Sequence, residues 1–356
     1  MNEALKNILN DMTVEIEEEE KQEKIEKKEK DSHVKILLIG CGYWGKNWLK
    51  TIIENSPYNI YGVVDIKPAE NNGDQIRQWA NLENVPKEFT HAIIATPAET
   101  HLEIYKTLKE KFNLDDKNIL IEKPVGINYV QAYEMKDCVH DFIWLYDDNY
   151  EILKEKINSI GKPLRFESVR ASMGPRIRTD VSIIEDYLFH DLYIYKDLFE
   201  ISAPVVNDAN LYSYFKPPIM ESTIDLTLND ANLYPLTAKM FSSWWYPKKD
   251  RKVIVIGTRA SIIWENDKIF INRSHYYEQD KEFIDTHGNK GYELKQAPVF
   301  EVEPDYEQQK LQHIPTNLEK LLDAFVNKHT KKTDTLLLNT WKLIEQIKMR
   351  GSSKIT

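Results

Sequence analysis

The sequence predicts an α/β plus α+β chain: a doubly wound parallel sheet at the N-terminal end, then a domain built on a large open antiparallel sheet. Three observations lead there. Short apolar runs alternate with helical spacings from Val34 to about Tyr146. A glycine turn, Gly40-Cys41-Gly42-Tyr43-Trp44-Gly45, separates the first run from the first helical stretch. Beyond Asp148 the texture changes to stretches of alternating polarity. Continuous apolar runs suit strands covered on both faces, and alternation suits strands with one solvated face.

The elements follow in order. Val34–Ile39 reads as a buried strand, 44–54 as a helix, and Ile60–Asp65 as a second strand closing on an acid. Residues 75–82 have helical spacing, His91–Thr96 is a third strand, and 99–111 a helix. A fourth strand is expected at Ile119–Ile121, a helix at 129–139, and a fifth strand at Phe142–Tyr146. This βαβ rhythm means a doubly wound sheet. A helix at 150–157 then leads into expected strands at 163–172, 205–215, 223–228, 236–244, 253–257 and 260–265. One helix, 183–199, interrupts them, and helices at 317–327 and 333–349 close the chain. The domains are accordingly 1–32, 33–147 and 148–350.

Composition narrows the function. Net charge is −10, which argues against nucleic acid or an anionic membrane as partner. No apolar run approaches the roughly 18 residues that cross a bilayer, and the polar, acidic N-terminus carries no secretory signal. Two cysteines, Cys41 and Cys138, offer neither metal spacing nor a disulfide framework, so no metal is expected and a reducing, cytoplasmic location is. Residues 1–32 hold a low-complexity run, EIEEEEKQEKIEKKEK, which reads as a solvated, disordered or frayed-helix extension.

The glycine turn carries the first chemistry. Its spacing is G-x-G-x-x-G, after a strand and at the opening of a helix. Gly40 allows the tight turn, Gly42 lets a pyrophosphate approach the backbone, and Gly45 allows close packing of helix on strand. The helix N-terminus adds unpaired N–H groups and a positive dipole end. Tyr43 and Trp44 lie within the same turn. Asp65 stands twenty residues after Gly45, where a carboxylate binds the adenosine ribose hydroxyls. A carboxylate there repels a 2′-phosphate, so NAD is favoured over NADP, with Lys67 weakening the preference. The turn therefore reads as a Rossmann nucleotide site, with an ordinary glycine-rich turn as the alternative.

The second signal is Asn118–Pro124, NILIEKP, which places Glu122 and Lys123 at the C-terminal end of a strand. Ligands of open α/β sheets bind there. A lysine at that edge can hold a substrate hydroxyl and lower its pKa; an ordinary solvated strand-end lysine is the alternative. The third signal is SIIEDYLFHDLYIYKDLF, in which Asp186 and His190 fall at i and i+4 of a mostly apolar helix. Such groups are costly on a buried helix unless they face a polar cleft or pair. A helix-stabilising Asp–His pair competes with a proton-accepting histidine here. Arg176, Arg178 and Asp180 are candidates for substrate recognition, since arginine suits bidentate contact with phosphate or carboxylate; surface salt bridges are the alternative.

The Gly loop, ATPAETH (Ala95–His101), EKP and D-x-x-x-H, in this order, resemble the glucose–fructose oxidoreductase, inositol dehydrogenase and MocA-like family over residues 34–350. That resemblance implies Lys123, Asp186 and His190 as catalytic residues. It implies Thr96, Pro97 and His101 on the nicotinamide side, with Glu122 and Lys123 also near the cofactor. It further implies a homodimer or homotetramer formed through the C-terminal sheet. The segments SVRASMGPRIRTDVSIIEDYLFHDL, FSSWWYPKKDRKVIVIGTRASIIWEND and LYDDNYEILKEKI resemble a subgroup acting on nucleotide sugars, which adds Tyr146 to the substrate candidates. The stretch from Asp65 to His91 is short for the family, so a Rossmann strand or loop is expected to be missing.

The expected function is NAD(P)-dependent hydride transfer at a secondary alcohol or ketone carbon of a sugar, a nucleotide sugar first. Inositol, an amino sugar or an imine of specialised metabolism are alternative substrates. A non-catalytic NAD-binding sensor is the alternative from another class.

Overall fold

The computed structural model describes residues 33–67, 76–173, 178–200, 204–214, 218–228, 235–272, 282–284, 290–292, 299–302 and 315–355. The charged extension, 1–32, lies outside them, as does Arg176. The chain forms two compact units. One runs up to Glu122 and adds Asp137–Asp141 and Leu318–Lys331; the other comprises Lys123–Lys136, Phe142–Asn317 and the chain from Lys332 onward.

The first unit is built on six strands: β1 (Lys35–Ile39), β2 (Asn59–Val64), β3 (Gln78–Trp79), β4 (His91–Ile94), β5 (Ile119–Ile121) and β6 (Val139–His140). Their order is β3-β2-β1-β4-β5-β6 and every pairing is parallel. The chain winds outward from β1 to β3, then returns to β4. The strand order thus reverses between β1 and β4, the position where doubly wound sheets bind ligands. Ile36, Leu37, Ile93, Ile94, Ile119 and Leu120 are wholly buried, as strands covered on both faces must be. Helix α1 (Tyr43–Glu54) buries Trp48, Leu49 and Ile52, a stripe of 3.6-residue period. Helix α2 is His101–Glu110.

Two sequence expectations change in this unit. The helix expected over 75–82 is the short strand β3 instead. Val63 N–H donates to Arg77 O and Asp65 N–H to Trp79 O, and the Trp79 ring stacks on Tyr61 at 5.6 Å. A Cβ on Gly62 would lie 2.3 Å from that indole, so the glycine makes room for it. Tertiary packing overrides the local spacing. The sheet also keeps six strands although 65–91 is short: its third strand shrinks to two residues.

The second unit contains α3 (Tyr129–Glu134), α4 (Asp148–Lys156) and α5 (Phe189–Phe199). The fifth strand expected at Phe142–Tyr146 is a 3₁₀ turn over Ile143–Tyr146, while Val139–His140 takes the outer place in the first unit's sheet. Short apolar runs do not by themselves distinguish strand from buried turn. Here Phe142 stacks on Tyr193 at 4.5 Å, and the Trp144 N–H donates to the Tyr193 hydroxyl at 3.2 Å instead of joining a ladder.

Nine strands form this unit's main sheet. They are β7 (Pro163–Ala171), β8 (Val205–Ser213), β9 (Glu221–Leu228), β10 (Leu236–Ser243), β11 (Asp250–Gly257), β12 (Ser261–Glu265) and β13 (Lys268–Asn272), then β16 (Val299–Val302) and β17 (Ser352–Ile355). A separate two-stranded pair, β14 (Glu282–Ile284) and β15 (Lys290–Tyr292), lies between β13 and β16 in the chain. The order is β16-β13-β12-β11-β7-β10-β9-β8-β17, antiparallel except for the β7–β10 and β8–β17 pairs. It is the expected open, mostly antiparallel sheet.

Helix α5 is buried on all sides. Phe166 of β7 meets its Tyr195 at 5.2 Å, and its Phe189 meets Trp341 of the closing helix at 6.4 Å. The two closing helices are α6 (Asn317–Val326) and α7 (Asp334–Arg350). Nearly all of α6 belongs to the first unit, where Tyr58 donates to Asp323 at 2.8 Å; α7 belongs to the second. No helix among the described residues is long and apolar enough to cross a membrane.

Candidate active site

In the first unit the glycine turn leaves β1 and enters α1. Gly40 has φ +92°, and a Cβ there would sit 2.6 Å from Ala95 O. A Cβ on Gly45 would meet Gly40 O at 2.1 Å. Both positions exclude a side chain. Gly42 differs: nothing lies within 4 Å of its Cβ position. Its neighbour α1 has no side-chain cap and no acid in the first turn. Open space beside an uncapped, acid-free helix start is what a pyrophosphate requires. Tyr43 and Trp44 stand exposed at the rim, edge to face at 5.8 Å.

Asp65 Oδ2 accepts the Cys41 N–H at 2.6 Å, and its Oδ1 accepts the Lys67 N–H at 2.8 Å. The acid thus braces the glycine turn and keeps lone pairs on both oxygens for ribose hydroxyls. Thr96 and Pro97 follow β4. The buried His101 contacts the Thr96 carbonyl through Nε2 at 2.8 Å, and Thr100 donates to the Thr96 hydroxyl at 2.7 Å. His101, a cofactor candidate in the sequence, holds the Thr96 loop from beneath. Glu122, at the end of β5, is buried and accepts the Trp48 indole N–H at 2.8 Å, which fixes α1 against β5.

These observations fit a dinucleotide to Gly42, Gly45 and Asp65. Replacing Gly42 by valine is expected to weaken NAD binding at least about tenfold with little change in melting temperature, since only the phosphate space is filled. Replacing Gly40 by alanine is expected to lower the melting temperature as well, because both φ and the Ala95 carbonyl oppose a Cβ. Calorimetric NAD titration and thermal melts of the two variants separate these effects.

The next residue, Lys123, joins the second unit; its bond to Pro124 is cis. Lys123 is buried, and its Nζ donates to Asp186 Oδ1 at 2.7 Å and to Asp186 O at 3.0 Å. Asp186 Oδ1 also takes Arg178 Nη1 at 3.3 Å, and Oδ2 takes the Trp244 indole N–H at 3.1 Å. Arg178 in turn grips Asp180 through Nε at 3.0 Å and Nη2 at 2.5 Å. Burial alone would raise the Asp186 pKa. The Lys123 and Arg178 charges, with hydrogen bonds from Lys123 and Trp244, outweigh it and hold the carboxyl below the usual range. Lys123 keeps one of its three N–H bonds unused among the described residues.

The helix read over 183–199 begins with a π turn, Ile184–Leu188, before α5. This widened turn alters the simple i, i+4 relation of Asp186 and His190, and π turns recur at functional sites. The Asp–His pair weighed from sequence does not form. Asp186 takes Lys123, Arg178 and Trp244, while His190 Nδ1 meets the Tyr193 hydroxyl at 3.2 Å. Its Nε2 has no hydrogen-bond partner among the described residues. Burial first, then the charges of Lys123, Arg170 and Arg251, push the His190 pKa well below its ordinary value. The imidazole is therefore neutral at pH 7 and ready to accept a proton.

Of the sequence candidates, Lys123, Arg178, Asp180 and Asp186 converge in one network with His190 alongside. Tyr146 is half-buried in the 3₁₀ turn that carries Trp144. Sequence reasoning did not single out Tyr193, Trp244, Arg170 or Arg251. Only α5 periodicity could have flagged Tyr193, three residues after His190. No group of three metal-ligating side chains occurs among the described residues.

A parallel sheet of order 3-2-1-4-5-6 with this glycine turn is an NAD-binding Rossmann fold. Residues 34–141 match the model described as "Oxidoreductase family, NAD-binding Rossmann fold", the nucleotide-binding part of the glucose–fructose oxidoreductase, inositol dehydrogenase and MocA family. Solved structures share the fold over most of the chain. One is UDP-N-acetylglucosamine 3-dehydrogenase GnnA from Acidithiobacillus ferrooxidans, with TM-score 0.67, 17% identity, and 90% of this chain and 98% of that one covered. Another is KijD10, a 3-ketoreductase from Actinomadura kijaniata in complex with NADP and TDP-benzene, with TM-score 0.69, 12% identity, and 91% and 99% covered. A third is GenD2 from gentamicin A biosynthesis in complex with NAD, with TM-score 0.65, 15% identity, and 88% and 93% covered. No curated protein sequence matches the chain.

Proposed function

We propose that the chain catalyses NAD-dependent oxidation of a secondary alcohol of a sugar, or the reverse reduction, with a nucleotide sugar as the first substrate class. The observation that carries this reading is the buried Lys123–Asp186 pair, with a spare lysine N–H beside a neutral histidine whose Nε2 is unpartnered. The bound nicotinamide would supply the hydride acceptor. The acidic Asp65 at the adenosine end favours NAD over NADP. GnnA, a UDP-N-acetylglucosamine 3-dehydrogenase, and KijD10, bound to TDP-benzene, support the substrate class by likeness of fold.

The residues divide the work. His190 Nε2 accepts the hydroxyl proton as hydride leaves the carbon. Nδ1 then carries the imidazole hydrogen and donates it to Tyr193, whose oxygen also accepts the Trp144 N–H. Lys123 donates its remaining N–H to the oxygen and stabilises the alkoxide character that develops there. Asp186 aims Lys123 through its Oδ1 and its backbone carbonyl. Arg178 and Asp180 hold Asp186. The open antiparallel sheet is the surface through which a homodimer or homotetramer would form, and two buried cysteines outside any disulfide, Cys41 and Cys138, suit a cytoplasmic setting.

The test is a hydride-transfer screen, followed by NADH absorbance, with UDP- and TDP-sugars, free sugars, inositol and amino sugars. NADH formation with a nucleotide sugar, abolished in Lys123 and His190 variants, is expected. Turnover only of inositol or an amino sugar would reassign the substrate. NAD binding with no turnover of any of these would overturn the enzyme reading in favour of a sensor.

A further inference from the structure

Arg170 of β7 and Arg251 of β11 stand opposite each other in antiparallel register. Opposed side chains leave a sheet on the same face, where like charges repel. Both guanidiniums lie over the Trp144 ring, 4.9 Å and 5.2 Å from its centroid. The same ring meets His190 edge-on at 6.3 Å. Two cations therefore stand close to the imidazole.

One of them is accounted for. Arg170 donates through Nε and Nη2 to Asp191 Oδ1, at 3.0 Å and 2.8 Å, and both residues are buried. The neighbouring network is also matched in charge, with Lys123 and Arg178 facing Asp186 and Asp180. Arg251 is not matched. It is half-buried, and among the described residues no carboxylate pairs with it and no side-chain hydrogen bond engages its guanidinium. Asp191 and Asp267 act on it only from longer range. A cation partly stripped of water and opposed to another cation is costly unless an anion arrives.

We propose that Arg251 receives an anionic oxygen group of the substrate, either a ring carboxylate or the phosphate attached to the sugar. This rests on the dehydrogenase reading for the position of the sugar beside His190. The planar guanidinium fork matches both carboxylate and phosphate. Arg178, a sequence candidate for the same duty, is already committed to Asp180 and Asp186. Trp144 holds the Arg251 head in place without neutralising it.

The test uses full-length protein saturated with NAD, titrated calorimetrically with UDP-glucuronate, glucuronate, glucose 1-phosphate and neutral glucose. Arg251→Gln is expected to weaken the anionic probes roughly 10- to 100-fold, the worth of a charged hydrogen bond. Glucose and NAD affinity should stay unchanged, and Arg251→Lys should recover part of the loss. A loss with glucuronate identifies the carboxylate as the group held; a loss with glucose 1-phosphate identifies the phosphate. Equal affinities in wild type and Arg251→Gln, an equal loss for glucose, or no binding of any anionic probe to wild type would overturn the proposal. Because binding is read without turnover, anion binding through Arg251 in a protein that forms no NADH would sink the dehydrogenase reading alone.

Discussion

Replacing Lys123 by methionine is expected to lower kcat by about 10²- to 10⁴-fold, the usual worth of a positioned acid–base group, with NAD affinity unchanged. The side chain keeps its unbranched shape, ends one atom short of the ammonium and loses the three N–H bonds. Asp186 is left with Arg178 and Trp244 as its partners. Removing one member of a buried ion pair typically costs about 3–5 kcal/mol; the surviving Arg178 contact puts the expected loss at or below the low end. The double variant Lys123→Met with Asp186→Asn removes both charges. It should regain part of the stability and none of the activity, so that damage to folding and loss of chemistry are read apart. A single variant with near-wild-type turnover would remove Lys123 from the mechanism.

The same pair sets a pH dependence. The Asp186 pKa is depressed in the folded protein, so the unfolded chain binds the proton first as pH falls. The stability that Asp186 contributes is present above its ordinary value, near 3.8, and is lost as pH drops toward the folded value. In Lys123→Met that acid-side loss should shrink, measurable as a shallower fall of melting temperature below pH 4 or so.

The second large effect is at His190. Substitution by asparagine is expected to cost about 10²- to 10⁴-fold in kcat, again with NAD binding intact. Because burial and three cations depress the imidazole pKa, the acid limb of wild-type kcat/KM, where activity falls, should lie well below pH 6.5. That limb should disappear in His190→Asn. Tyr193→Phe deletes the acceptor that holds Nδ1. It is expected to lower kcat about tenfold and shift the acid limb, while NAD affinity and secondary structure stay as in wild type. A limb that does not move in Tyr193→Phe would reduce the tyrosine to a packing residue.

Some of this protein is written locally in the chain. The glycine turn was legible because the positive φ of Gly40 and the close approach of Gly45 to the Gly40 carbonyl are demands within one turn, and β1, β4 and β5 because strands covered on both faces must be apolar throughout. The nine-stranded sheet was legible as alternating polarity, although its outer strands β13, β16 and β17 carried too little pattern to be read. Residues 75–82 were misread because Trp79 lies in space opened by Gly62, a contact across strands. Residues 142–146 were misread because their backbone answers to Tyr193, about fifty positions away. The π turn at Ile184–Leu188 left no mark in the spacing.

The sequence by itself determined the nucleotide fold and supplied Lys123, Asp186 and His190, since the motifs that carry them are contiguous and their chemistry belongs to each residue type. Only the tertiary structure decided how those groups are paired: Asp186 with Lys123, Arg178 and Trp244, His190 with Tyr193, Arg170 with Asp191, and Arg251 with no carboxylate. Pairing depends on distances between residues remote in the chain and on how far burial strips each charge of water. Neither quantity is a property of a single segment.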